Sequence, residues 1–462
     1  MKNGKLKIME GVKRHPKFFI FIFAFFIFPI SGCASQPPKP TDDSEFMKRS
    51  QTKTTDNVSV TVSAMGPKES AQYFGVPLAK HNIQPVWIKI VNHDSVPYFF
   101  VQYSVDAHYY PAAEAAYRAR KKLIEGQGIF AVASVAFLPL NLIQGGPINK
   151  RTAEILSEEA LNNTVVVPGE EVSGYVYTRV DEGMKSVPVQ LMGETKSLKF
   201  NFVINVPGIN PDYENEELDQ LMRESKPVPL DEEALRQYLK ETVPCCATDK
   251  SGKKYGDPLN LILVGDREDI LSVFTEAGWD ATEKLTLHTM FKAINAFLNG
   301  KGYRYSPVSD LYFDGRKQDI AFQRIRSSIN ERMHLRLWFT SNQFEGKTIW
   351  VGQVSRDIGV KFTLDGLRFT THIIDPDVDE MRDYIFSDLA AIERVEIVGY
   401  VKGADAVTKE NPKKNLTHDP YYTDGLRIVI KISDYDTEPK FLGWQTPWLN
   451  QAREEEAAMK KL

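Results

Sequence analysis

The densest group of residues able to do chemistry in this chain is His372 with Asp375, Asp377 and Asp379. Three carboxylates at alternate positions repel one another unless a cation or solvent relieves them, so a metal held by His372, Asp375 and Asp377 is the first chemistry to consider. The run opens like a calcium-binding loop at Asp375. Its sixth position, however, is Glu380 where glycine is required, and its twelfth is Phe386 instead of a bidentate glutamate. A helix start explains the same acids: Asp375 as the cap, Pro376 in the first turn, and Asp377, Asp379 and Glu380 complementing the positive end of the dipole. His372 is then a general base, a metal ligand or a structural histidine, and the last is the preferred reading. Arg316 and Arg336 fall on short expected strands. With His372 they make a candidate polar pocket for an anionic head group or a carboxylate, although solvated strand faces and internal ion pairs account for them too.

Other catalytic patterns are missing from the sequence. Ser355-Arg356 invites comparison with the arginine and histidine that handle a phosphoryl group in lipid phosphatases, but the histidine position carries Phe362. There is no Gly-x-Ser-x-Gly elbow, no phosphate-cradling glycine loop and no His-Glu-x-x-His zinc helix. No cofactor is expected. Cys245 and Cys246 are neighbours, so each is the other's intrachain disulfide partner if Cys33 is consumed by modification. A bridge between neighbours is strained and reducible, which makes the two a candidate redox pair; two reduced, partly buried thiols are the preferred alternative.

Cys33 follows Lys2, Lys5, Lys7, Lys13, Arg14 and Lys17, an uncharged run over residues 18–30, and then Ser31 and Gly32. Charged-then-apolar order is that of a secretory signal, and the apolar run falls short of the roughly 20 residues a membrane span needs. Small residues directly before a cysteine resemble the lipobox of bacterial lipoproteins. That resemblance implies cleavage before Cys33, a diacylglycerol on its sulfur, and an N-acyl chain such as palmitate. Since one acyl chain binds a membrane marginally and two or three bind it stably, the expectation is firm anchoring. Ala34 and Ser35, with no Asp after the cysteine, favour the outer membrane facing the periplasm over the periplasmic face of the inner one.

The elements that must position these residues read as a multidomain chain. Residues 1–32 are the expected signal peptide and 33–56 a tether rich in Pro, Ser, Thr and charge. Alternation at Val58, Val60 and Val62, at Val86, Ile88 and Ile90, and again over 165–206 predicts an Ig-like β-sandwich spanning 57–206. A helical insertion splits it near 111–160, with residues 128–143 uncharged and interrupted by Pro139. That stretch is an interfacial hairpin on the membrane or, preferably, a hairpin buried against the sandwich. Residues 207–243 are acidic and proline-punctuated, an expected linker with short helices. An α+β domain with a mainly antiparallel sheet follows over 244–434, then a tail over 435–462 that carries Trp444 and Trp448.

Within the second domain, several blocks are similar to the LssY-type C-terminal domain. They are Gly256-Asp257-Pro258-Leu259-Asn260, Ser306-Pro307-Val308-Ser309-Asp310-Leu311-Tyr312, Gly315-Arg316-Lys317-Gln318-Asp319-Ile320-Ala321-Phe322-Gln323, His334-Leu335-Arg336-Leu337-Trp338, Trp350-Val351-Gly352 and Thr371-His372-Ile373-Ile374-Asp375-Pro376. The resemblance implies a domain found alone and beside membrane modules, with no reaction attached to it.

The net charge of -4, with both signs interspersed, offers no broad cationic surface, so nucleic acid is not an expected partner. The expected partners are the membrane itself and an envelope protein or lipid. The chain therefore reads as a binding or scaffolding lipoprotein of the cell envelope. The alternative is an envelope hydrolase or lipid-modifying enzyme centred on His372.

Overall fold

Buried Val58, Val60 and Val62 alternate with half-buried Ser59 and Thr61 in β2 (Val58–Ala64), which pairs with the exposed β1 (Gln51–Thr55) as an antiparallel hairpin in a strand-rich chain. The computed structural model describes residues 44–125, 147–298, 303–325, 332–362 and 370–444. Cys33, the uncharged stretch 128–143 and Trp448 lie outside the described residues, as does the side chain of His372.

β3 (Gln84–Asn92), β4 (Tyr98–Phe100), β5 (Thr164–Val166), β6 (Glu171–Thr178), β7 (Gly183–Met192) and β8 (Ser197–Val206) complete the N-terminal domain. Two four-stranded sheets, ordered β1-β2-β3-β6 and β5-β4-β7-β8, face each other across one core. Val58, Val60, Val62, Ile88 and Ile90 come from the first sheet, and Phe100, Val187, Val189, Phe200 and Phe202 from the second. Helices Ala112–Glu125 and Pro147–Glu158 flank the uncharged stretch. Ala115, Ala116, Ala119 and Leu156 pack them under Phe74, Tyr175 and Tyr177.

The remaining strands are β9 (Val228–Leu230), β10 (Cys246–Thr248), β11 (Tyr255–Pro258), β12 (Leu261–Val264), β13 (Asp280–Ala281), β14 (Tyr312–Phe313), β15 (Arg316–Lys317) and β16 (Ile320–Ile325). They continue with β17 (Arg332–Phe344), β18 (Lys347–Phe362), β19 (Thr370–Ile374), β20 (Val395–Lys402), β21 (Lys413–Lys414), β22 (Pro420–Tyr421), β23 (Leu426–Ile432) and β24 (Lys440–Phe441). The main sheet runs β13-β16-β17-β18-β12-β23-β20-β24, with β19 beside β18 and β9 beside β17. It is mainly antiparallel; β12 with β23, β9 with β17 and β20 with β24 are the parallel pairs.

Helices Arg267–Glu276 and Val378–Ala391 cover one face of this sheet, burying Ile270, Phe274, Met381 and Ile385 against Leu261, Leu335, Leu337 and Trp350. Leu235, Leu239, Val243 and Phe313 cover part of the other face, against Ile262, Trp338, Val351 and Val429. The expected linker is therefore built into the C-terminal domain: β9 extends the sheet, and Leu218 and Leu235 are core residues. Trp444 is docked in the same way, its indole donating to Glu232 at 2.8 Å and its ring lying where a Cβ at Gly399 would collide with it. Arg304 ties the sandwich to this domain by bridging Asp181 at 2.7 Å and Asp280 at 2.6 Å, and Tyr305 accepts from the Glu182 amide.

Candidate functional site

The acids around Asp375 form a helix start. Asp377, not Asp375, is the cap: its carboxylate accepts the Glu380 amide at 3.3 Å, and the helix begins at Val378. The Asp375 amide still donates to Arg356 of the neighbouring strand, so the chain turns only after it, and its carboxylate accepts the Asp377 amide. Asp379 is turned elsewhere, accepting from the Thr423 hydroxyl and the Asp424 amide beside Arg382. Arg356 pairs with Glu380 at 2.8 Å and lies 3.6 Å from Asp375. Among the described residues no group of histidine, cysteine and carboxylates is placed to hold a metal ion.

Arg316 and Arg336 are committed to different neighbours. Arg316 grips Asp319 at 2.8 Å and the Phe339 carbonyl; Arg336 donates to Gln353 at 2.7 Å and to the Ser309 carbonyl and hydroxyl. The structure does not turn the two guanidiniums into a shared pocket.

Instead it buries a polar cluster that the sequence reading missed. Period-two alternation on β17 puts Met333, Leu335 and Leu337 on the helix-covered face and Arg332, His334 and Arg336 on the other. The register sets His334 across from Gln323 of β16 and Ser355 of β18, and Arg336 across from Gln353. His334 Nε2 lies 2.5 Å from Asp357, which Arg332 also reaches at 3.4 Å. Arg332 donates in turn to Gln323. Burial pushes His334 down to about 3, against the pull of the adjacent Asp357 carboxylate, so the ring is neutral and its Nε2 hydrogen goes to Asp357. Burial also lowers Arg336 to about 10.

A histidine oriented by an aspartate with a serine on the next strand has the composition of a nucleophile and its base. The enclosure decides against that use: His334, Ser355 and Asp357 are each at most 4% exposed, which leaves a substrate no approach. The cluster is an internal polar brace.

Two adjoining cavities are open. One of about 350 Å³ is lined by Asp212, Thr282, Asp310, Lys317 and Asp319 among others, and a second of about 700 Å³ shares Asn215, Glu217 and Lys284 with it. Burial raises the Asp212 carboxyl to about 7; the Thr282 hydroxyl donates to it at 2.6 Å. Neither cavity is lined by Asp375, Asp377, Arg316 or Arg336.

On the sandwich, Phe99 of β4 stands in register with Val165 of β5 and Met192 of β7, and the three are 40%, 49% and 44% exposed. Val167, just beyond the end of β5, is exposed as well. Among the described residues nothing covers this apolar strip on the outer face of a sheet.

Cys245 and Cys246 are bridged to each other, in place of the two reduced thiols expected from the sequence. Their backbone is fixed from both sides, which brings the sulfurs into reach.

Residues 235–426 match the family model described as LssY C-terminus, so this part of the chain is an LssY-type C-terminal domain. No curated protein matches the chain.

Proposed function

We propose that this chain is a lipoprotein of the cell envelope, anchored through lipid on Cys33 in the outer membrane and facing the periplasm, where it binds or scaffolds a partner protein. The observation that carries the binding role is the exposed strip Val165, Phe99 and Met192. Three large apolar side chains aligned across adjacent strands, uncovered among the described residues, suit contact with another apolar surface. The anchor rests on the order of basic residues, apolar run, Ser31, Gly32 and Cys33. A non-enzymatic reading is supported by how the candidate catalytic groups are used: the acids near His372 cap a helix and bind Arg356 and Arg382, and the His334 cluster is enclosed.

The same reading takes the N-terminal domain as Ig-like. The sheet order β2-β3-β6 opposite β5-β4-β7-β8 corresponds to strands A-B-E opposite C′-C-F-G, with β1 added at the edge.

The test places a photo-crosslinking side chain at Phe99 in cells, with Tyr103 as the exposed control nearby. The expected result is a discrete adduct in the membrane fraction from position 99, weakened at least several-fold by Met192→Asp. No adduct from position 99, or equal adducts from both positions, contradicts the binding role.

A further inference from the structure

We propose that Cys245 and Cys246 are a reversible redox pair that exchanges two electrons with a dithiol partner through Cys245. This stands independently of the lipid anchor, because it concerns only the C-terminal domain. The bridge joins adjacent residues, whose Cα atoms lie 3.7 Å apart because a single trans peptide sets that spacing. It closes the smallest loop two cysteines can make. The stabilisation a disulfide takes from restricting the unfolded chain grows with loop length and is near its minimum here. The bridge is therefore not needed to hold the fold.

What holds the fold at this place is independent of sulfur. Arg427 is 1% exposed and donates to the carbonyls of Leu239, Val243, Pro244, Leu259 and Gly403. On the other side, the Leu259 amide donates to the Cys245 carbonyl at 2.9 Å, Cys246 pairs with Pro258 in β10, and Ala247 is fully buried. This frame keeps the two sulfurs adjacent whether or not they are bonded. Reduction then leaves two thiols poised to close again, and closure is intramolecular.

Access is unequal. Cys246 is 6% exposed and Cys245 is half-buried, so the incoming thiolate is routed to Cys245, the more exposed residue of the two. A bond forms from the partner's sulfur to Cys245 Sγ, the bond between the cysteines breaks, and Cys246 leaves as a thiolate that takes up a proton. The partner's second thiol then attacks its own mixed-disulfide sulfur and releases Cys245. The dithiol is oxidised to a disulfide, and the pair gains two electrons and two protons.

The experiment uses the purified full chain and reads the tryptic peptide 241–250, which holds both cysteines and excludes Cys33. Without reductant the peptide should take up no alkylating agent. Dithiothreitol under native conditions should let it gain two alkyl groups together, while the folded protein melts within a few degrees of the oxidised form. A second arm adds oxidised glutathione to single variants, where Cys246→Ser should form the mixed disulfide at Cys245 roughly tenfold faster than Cys245→Ser forms it at Cys246. Three results overturn the proposal: alkylation of the unreduced peptide, a bridge that dithiothreitol opens only in denaturant, or equal rates in the two variants.

Discussion

Burial keeps His334 neutral, and that has a definite pH signature. The unfolded ring takes a proton near pH 6.5, whereas the folded one refuses it until about 3, so between these values the unfolded state binds more protons. Stability contributed at this position is complete above pH 6.5 and falls as pH drops through the window, by at most about 1.4 kcal/mol per pH unit. Melting temperatures of the wild type and His334→Asn should therefore converge between pH 7 and pH 4; a margin that widens on acidification contradicts the assignment. Asp212 behaves in the opposite sense. Its folded carboxyl holds a proton up to about 7 and its unfolded one loses it near 4, so the wild type loses stability as pH rises across that interval. Asp212→Asn should match the wild type near pH 4 and exceed it at pH 8 by about 1–3 kcal/mol, read by denaturant titration. These residues were only partly legible beforehand. Arg336 stood out as a charged residue on an expected strand, but the interleaving of Arg332, His334 and Arg336 with Met333, Leu335 and Leu337 carried the sharper signal of a strand with one polar buried face. Asp357 was hidden for another reason: the apolar pattern ends near Val354 while β18 runs on to Phe362.

The helix Val378–Ala391 shows how an acidic run serves an element. Asp377→Ala should remove the cap and about 1 kcal/mol, and Asp377→Asn almost none, because asparagine caps as well. If equilibrium unfolding finds the two variants equally destabilised, charge at this position matters more than the cap. A larger effect belongs to the segment around Arg427. Arg427→Met leaves several buried carbonyls without donors and should lower stability by about 3 kcal/mol or more. Gly403→Ala should also destabilise, since its Cβ would run into the Arg427 side chain; unchanged unfolding midpoints would contradict the clamp. Strands with one apolar and one solvated face, such as β2 and β8, were readable from alternation alone. The segment 207–243 looked like a linker because prolines and acids dominate its composition. Leu218 and Leu221 with Leu235 and Leu239, at helical spacing, are what dock it.

At the scale of the molecule, the sandwich and the LssY-type domain are joined through Arg304, Asp181 and Asp280, with Met184 of β7 packed on the core that contains Phe274 and Trp279. Arg304→Ala should weaken this junction so that heat unfolding separates into two calorimetric transitions; a single unchanged transition would show that apolar contacts alone suffice. Fold class was legible because burial imposes period two on most strands, whereas the docking between domains was not, since it depends on a few long-range contacts, the Arg304 ion pairs and Met184 among them, that leave no local pattern. We propose that, at the other end of the chain, a thioether-linked lipid on Cys33 ties the protein to a bilayer. Metabolic labelling with an alkyne fatty acid tests it most directly. The wild type should carry the label and sediment with outer membranes, and Cys33→Ala should carry none; a mature protein recovered soluble with an unmodified Cys33 thiol would contradict the account.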